Sequence, residues 1–148
     1  MSTQTVNPGP EASIAAYVAA LEAMRADTVD TVLALCAKDI RFSDPFTDVT
    51  GKAALRDVYD DMFRKISDLR FRVEDCHGAG ERWLIRWTYS ARLGFLGPME
   101  FVGTSLVVLN AEGLVCRHAD YWDASALFAR LPVLGPIVRL IKRRIAAP

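Results

Sequence analysis

The stretch Leu69 to Ser90, LRFRVEDCHGAGERWLIRWTYS, is where the hydrophobic period of the chain changes from that of a helix to that of a strand. Leu69, Phe71 and Val73 alternate with Arg70, Arg72 and Glu74, and Trp83, Ile85, Trp87 and Tyr89 alternate with Arg82, Arg86, Thr88 and Ser90. Successive side chains of a strand point to opposite faces, so each run reads as a half-buried strand. The Cys76-His-Gly-Ala-Gly80 segment between them reads as a turn, with His77 a turn residue. Two further strands are expected at 98–109 and 114–123, joined by the tight turn Asn110-Ala-Glu-Gly113, with Gly94–Pro98 a hairpin-like turn before them. The second half of the chain is therefore a four-stranded antiparallel meander.

Upstream of Leu69 the period is helical. Ile14, Tyr17, Val18 and Leu21 fall at i, i+3, i+4 and i+7, the spacing of one buried helix face, and Val29, Val32, Leu33 and Cys36 repeat it after an Asp27-Thr28 cap signal. Residues 39–43 alternate as a short strand, and Pro45 disfavours helix at Asp44. A third helix, begun near Gly51, is marked by Leu55, Val58, Tyr59, Met62, Phe63 and Ile66. Helices followed by antiparallel strands make an α+β domain. Residues 1–10 read as a disordered N-terminus, 11–126 as the folded domain and 127–148 as an extension. In that extension Pro132 and Gly135-Pro136 precede a basic amphipathic helix with an apolar stripe of Ile137, Leu140, Ile141 and Ile145.

Composition narrows the function classes. The 148 residues carry 18 basic and 18 acidic side chains, so nucleic acid is not an expected partner. That balance is uneven along the chain. Arg130, Arg139, Lys142, Arg143 and Arg144 follow position 128, where no acid occurs, which leaves 13 bases against 18 acids before it. Cys36, Cys76 and Cys116 are scattered, without a C-x-x-C pair, and read as reduced thiols in a cytoplasmic protein. No signal-peptide pattern and no run of 18 apolar residues is present in the sequence. The tail helix is expected to cover the domain's mouth, to join a homodimer partner, or to make weak membrane contact.

Candidate chemistry concentrates in three places. Asp44, in Arg41-Phe-Ser-Asp-Pro-Phe46, lies between two phenylalanines. It is either a pocket carboxylate, which desolvation would make a better proton carrier, or the cap of a turn, accepting from an N–H two residues on. Tyr17 sits on the buried face of the first helix, where its hydroxyl needs a partner. His118, Asp120 and Trp122 share one face of the last strand and are either a pocket wall or a solvated His-Asp pair.

Ala16-Tyr17-Val18-Ala19-Ala20-Leu21, the 33–39 segment Leu-Ala-Leu-Cys-Ala-Lys-Asp, and Ser43-Asp44-Pro45 resemble, in order and spacing, segments of the nuclear transport factor 2-like superfamily, with ketosteroid isomerases the nearest local echo. The resemblance spans about residues 12–124. It implies a cone: a curved antiparallel sheet packed against three N-terminal helices around an apolar pocket, with the amphipathic C-terminal helix an addition. In those isomerases Asp44 would match the general base and Tyr17 the donor to the enolate oxygen. Ser105, a weaker donor, stands where they carry a protonated aspartic acid. Asp120 resembles the acid/base residue of polyketide cyclases in the superfamily.

The resemblance implies an isomerase- or cyclase-like acid/base enzyme without cofactor or metal, with Asp44, Tyr17, Asp120 and His118 catalytic. Phe46, Tyr59, Met62, Phe63, Trp87, Phe101, Ser105 and Trp122 would contact a small hydrophobic substrate containing a carbonyl. Alternatives are a ligand-binding or dimerisation module of the same fold and, more weakly, an epoxide hydrolase. The last uses an Arg-x-Asp pair, for which this chain has only His118-x-Asp120.

Overall fold

The computed structural model describes residues 9–147. Residues 1–8 of the expected N-terminal stretch lie outside that range, and Pro10 already opens helix α1 (Pro10–Glu22). Proline suits this first position because its fixed φ is helical and no partner is needed for the missing N–H. Ile14, Tyr17 and Leu21 are buried as their spacing predicts, Val18 is only partly buried, and Ser13 and Ala20 complete the buried face of α1. Helix α2 (Val29–Ala34) is shorter than its apolar pattern. Cys36, placed on the helix by spacing, instead begins strand β1 (Cys36–Ser43), which therefore starts three residues before the expected position 39.

A strand missed in the sequence, β2 (Asp48–Thr50), turns back on β1 with Arg41 opposite Thr50 and Ser43 opposite Asp48. Its three residues carry no readable period. Helix α3 (Lys52–Lys65) follows Gly51, whose φ of 98° suits a residue without Cβ. Ile66, expected on this helix, opens strand β3 (Ile66–Ala79). Next come β4 (Arg82–Leu93), β5 (Gly97–Leu109) and β6 (Val115–Trp122), then the short α4 (Ser125–Phe128) and α5 (Leu134–Ile145). His77 belongs to β3, paired with Leu84, and the turn is the two-residue Gly80-Glu81 with Gly80 at φ 57°.

The meander β3–β6 forms as expected, but it is part of a six-stranded sheet of order β2-β1-β6-β5-β4-β3. The β1–β6 pairing is parallel, so the sheet is mixed and not purely antiparallel. Register shifts between Ser67 and Arg70, Val73 and Asp75, and Val108 and Leu109 add residues to one strand of a pair. Such bulges bend a sheet and raise its twist. The curved sheet is unclosed, and α1–α3 pack on it, with Leu55 of α3 and the sheet residues Ile40, Ile85, Val107 and Val115 all 0–1% exposed.

One contact inside this core positions the site. Gly103 lies opposite Trp87, and a Cβ on it would stand 2.4 Å from the Trp87 ring. Only glycine lets the indole lie flat across β5, which carries its N–H to Ser105.

Candidate functional site

The parallel pairing of β1 with β6 sets Phe42 beside His118 and Ser43 beside Ala119, so the turn after β1 and the end of β6 meet at one edge of a cavity. The cavity has a volume of about 530 Å³. Its wall is mostly aliphatic and aromatic, from α1 (Leu21), α3 (Val58, Tyr59, Met62), the sheet (Phe71, Trp87, Tyr89, Phe101, Trp122) and α4 (Leu127, Phe128). Aromatic rings follow one another around it: Phe101 stands 4.8 Å from Trp122, Trp122 5.7 Å from Phe46, and Phe46 5.8 Å from Phe128. Burial pushes the Tyr89 hydroxyl up to about 12.

Polar groups reach this wall at few points. Asp120 and His118 stand together on β6, with the imidazole Nε2 2.7 Å from Asp120 Oδ1 and side chains 19% and 4% exposed. Of the two readings of this strand face, the pocket wall is the one found. Ser105 Oγ donates to the same Asp120 oxygen and itself accepts from Trp87 Nε1 at 2.8 Å. The other imidazole nitrogen, Nδ1, is 2.8 Å from the Tyr17 hydroxyl. These contacts assign the tautomer. A carboxylate only accepts, so Nε2 carries the proton toward Asp120, and Nδ1 accepts from Tyr17 O–H. Tyr17 in turn interacts with Tyr59.

Trp87, Ser105, His118 and Tyr17 thus form a chain of donors that ends on Asp120. Tyr17, Trp87 and Ser105, distant in sequence, hold this carboxylate together with His118 of its own strand, and burial keeps both tyrosines protonated, their pKa values raised above the ordinary 10.0. Cys36, under Tyr17, is pushed up to about 11, mainly by burial.

Tyr17 itself is fully buried and lies behind His118, not on the cavity wall. Its hydroxyl is bonded to His118 and does not reach the cavity, where the resemblance would have it meet a substrate oxygen. Ser105, 1% exposed, is likewise behind the wall and touches Asp120 in place of a ligand. Tyr59 is the tyrosine of this pair that lines the cavity.

Asp44 lines the cavity at its rim, and its carboxylate accepts the Phe46 N–H at 2.7 Å. Asp44 N–H also donates to Thr47 O at 2.9 Å. The turn-capping role is therefore filled. Its two phenylalanines do not enclose it: Phe42 is buried against Tyr59 and His118, while Phe46 is 54% exposed at the mouth.

Phe46, Tyr59, Met62, Trp87, Phe101 and Trp122 line the cavity as expected, but Phe63 does not. It is one residue, about 100° of helix, past Met62, and packs partly buried against the core. Leu21, Met24, Leu69, Leu93, Leu127 and Phe128 were missed. The alternation around Leu69 could have flagged that residue, whereas Leu127 and Phe128 lie beyond the last strand and carry no period. Asp61 and Lys65, an ion pair on α3, also stand at the mouth, and Lys65 holds the Asp61 carboxyl below its usual range. Among the described residues no group of three or more His, Cys, Asp or Glu could hold a metal ion.

The SnoaL-like domain family matches residues 14–118. No curated protein matches the chain. Among solved structures, a protein of ketosteroid isomerase-like fold from Catenulispora acidiphila DSM 44928, in complex with trimethylamine, is 18% identical with a TM-score of 0.69, over 83% of this chain and 93% of that one. An LEH-like epoxide hydrolase of M. tuberculosis is 19% identical with a TM-score of 0.65, over 90% and 96%. A putative SnoaL-like polyketide cyclase of Shewanella denitrificans OS-217 is 14% identical with a TM-score of 0.67, over 80% and 93%. These likenesses establish the nuclear transport factor 2-like cone expected from the sequence.

Proposed function

The chain belongs to the SnoaL-like domain family, and from that premise we propose that it is a cofactor-independent acid/base enzyme acting beside the carbonyl of a small hydrophobic substrate. The observation that carries this reading is Asp120, a carboxylate at an apolar wall, fixed by Ser105 and His118. Both donors engage Oδ1, which leaves Oδ2 to work on the ligand. A carbon-bound proton α to the carbonyl moves to Asp120, the electrons pass to the carbonyl oxygen, and the proton returns from the carboxylic acid to carbon or oxygen. Positioned acid/base groups of this kind contribute ~10²–10⁴-fold.

His118 orients Asp120 and, tied to Tyr17, keeps the tautomer that donates to it. Tyr59, at the wall and backed by Tyr17, takes the oxyanion-stabilising part that the resemblance gave to Tyr17. The aromatic wall excludes water and holds the substrate's apolar body.

Deuterium incorporation into bicyclic ketones such as 2-tetralone, followed by mass spectrometry in D2O, tests the reading. Quenching of tryptophan fluorescence by the same ketones reports binding independently through Trp87 and Trp122. Exchange above background that vanishes in Asp120→Asn supports catalysis. Saturable binding with no accelerated exchange across the panel would turn the cavity into a ligand carrier.

A further inference from the structure

Helix α5 faces the wrong way for a helix that belongs to the core. Its small and polar side is the one docked on the domain. Gly135 is buried so closely that a Cβ would meet Ala129 O at 2.5 Å, Arg139 donates to the same carbonyl, and Lys142 pairs with Asp123 at 3.3 Å. The opposite side carries the apolar stripe. Ile137, Leu140, Ile141 and Ile145 are 52–78% exposed. A stripe of this kind normally turns inward, since burying a side chain of that size is favourable. Here hydrogen bonds and a close glycine contact hold it outward.

Charge identifies what covers it. Arg143 borders the stripe, Arg144, seven residues past Ile137, falls within it, and no acidic residue follows Asp123. A second copy packed parallel would oppose arginines with arginines, and one packed antiparallel would offer them no acidic partner on this helix. An anionic surface would pair with them while apolar tails take up the isoleucines, and a long arginine side chain can lie along apolar atoms with its charge at the headgroups. The helix has 12 residues, about 18 Å of length, too short to cross a bilayer and suited to lying in its interface.

We propose that α5 docks the protein on an anionic lipid surface, with Ile137, Leu140 and Ile141 inserted and Arg143 and Arg144 at the headgroups. The consequence for the cavity is positional. Helix α4, against which α5 packs, supplies Leu127 and Phe128 to the cavity wall, so docking holds the mouth beside the bilayer and opens a lipid-side route for an apolar ligand. Surface binding does not depend on the acid/base reading, and its test reads no turnover.

The experiment is co-sedimentation of the full chain with phosphatidylcholine vesicles, with and without phosphatidylserine, alongside light scattering without lipid. Binding is expected only with phosphatidylserine and should weaken as salt rises. Combined Ile137→Ser, Leu140→Ser and Ile141→Ser substitutions should lower partitioning at least about tenfold. Arg143→Glu with Arg144→Glu should lower it about fivefold or more per position, by loss of attraction and added repulsion. These side chains are exposed, so thermal melts of both variants should match the wild type. Failure to pellet with phosphatidylserine vesicles, or pelleting indifferent to the stripe substitutions, overturns the proposal. So does a wild-type dimer that the stripe variant dissolves while neither protein binds vesicles, which would make the face an interface between copies.

Discussion

Asp44 and Asp120 stand at the same cavity and differ in what holds them. Asp44 is fastened by its own turn: its carboxylate takes an N–H two residues along the chain. Asp120 is fastened by its strand neighbour His118 and by Ser105, and through them by Tyr17 and Trp87; Ser105, Tyr17 and Trp87 are brought to it only by the fold. A locally satisfied carboxylate can sit in any turn of any protein. One that recruits distant donors to an apolar wall has required the fold to be arranged around it, which is why the proposed chemistry is assigned to Asp120.

The widest separation between the two acids should appear in rate. Asp120→Asn keeps the size of the side chain and removes the proton acceptor, and exchange of a ketone α-proton should fall by ~10²–10⁴-fold while far-UV circular dichroism stays unchanged. Asparagine can still accept from Ser105 and His118 through its amide oxygen, so the fold is preserved. If Asp44→Asn lowered the rate as far and Asp120→Asn did not, the assignment would be reversed.

The network around Asp120 should next show itself in stability. Tyr17→Phe leaves Nδ1 of a buried imidazole without its donor, at a cost of about 1–3 kcal/mol in urea unfolding. Exchange should also fall, with kcat affected more than KM, because the loss lies behind the wall and away from bound ligand. A variant as stable and active as the wild type would show the Tyr17–His118 bond to be idle.

Alkaline pH probes the same cluster by another route. The Cys36 thiol rises from an ordinary 9.0 to about 11 in the fold, and Tyr17 and Tyr59 rise above 10.0, all chiefly by burial. The unfolded chain releases these protons first, so their stabilising share is fully present below pH 9 and shrinks as pH climbs through 11. For Cys36 the slope is on the order of 1 kcal/mol per pH unit across that window. Cys36→Ala should flatten the decline in unfolding free energy over pH 9–11 relative to wild type. An unchanged slope would separate Cys36 from the cluster.

How far the sequence disclosed all this follows the reach of the interactions. Alternation along Leu69–Ser90 marked the β3–β4 hairpin because a period of two reports directly on a two-sided sheet. The parallel seat of β1 beside β6 left no such trace, and three-residue β2 is too short for any period. The shared face of His118, Asp120 and Trp122 was legible from spacing within one strand. That Trp87, Ser105 and Tyr17 converge on it was not, since convergence depends on register and on Gly103 making room for an indole. Phe63 was misplaced because its helix presents apolar residues over a broad arc, only part of which faces the cavity.

The smallest expected effect is the most selective test of the contrast. Asp44→Asn keeps an oxygen acceptor for the Phe46 N–H, so stability should change by less than about 0.5 kcal/mol, while Asp44→Ala should lose roughly 0.5–1.5 kcal/mol, the worth of an ordinary hydrogen bond. Neither should change ketone exchange more than severalfold. The pair of substitutions separates charge from geometry: if Asp44 is only a cap, asparagine is silent and alanine is not. An asparagine variant that folds normally but loses exchange would show that the rim carboxylate acts through its charge. The two acids would then be partners across the cavity, one removing the proton and the other returning it.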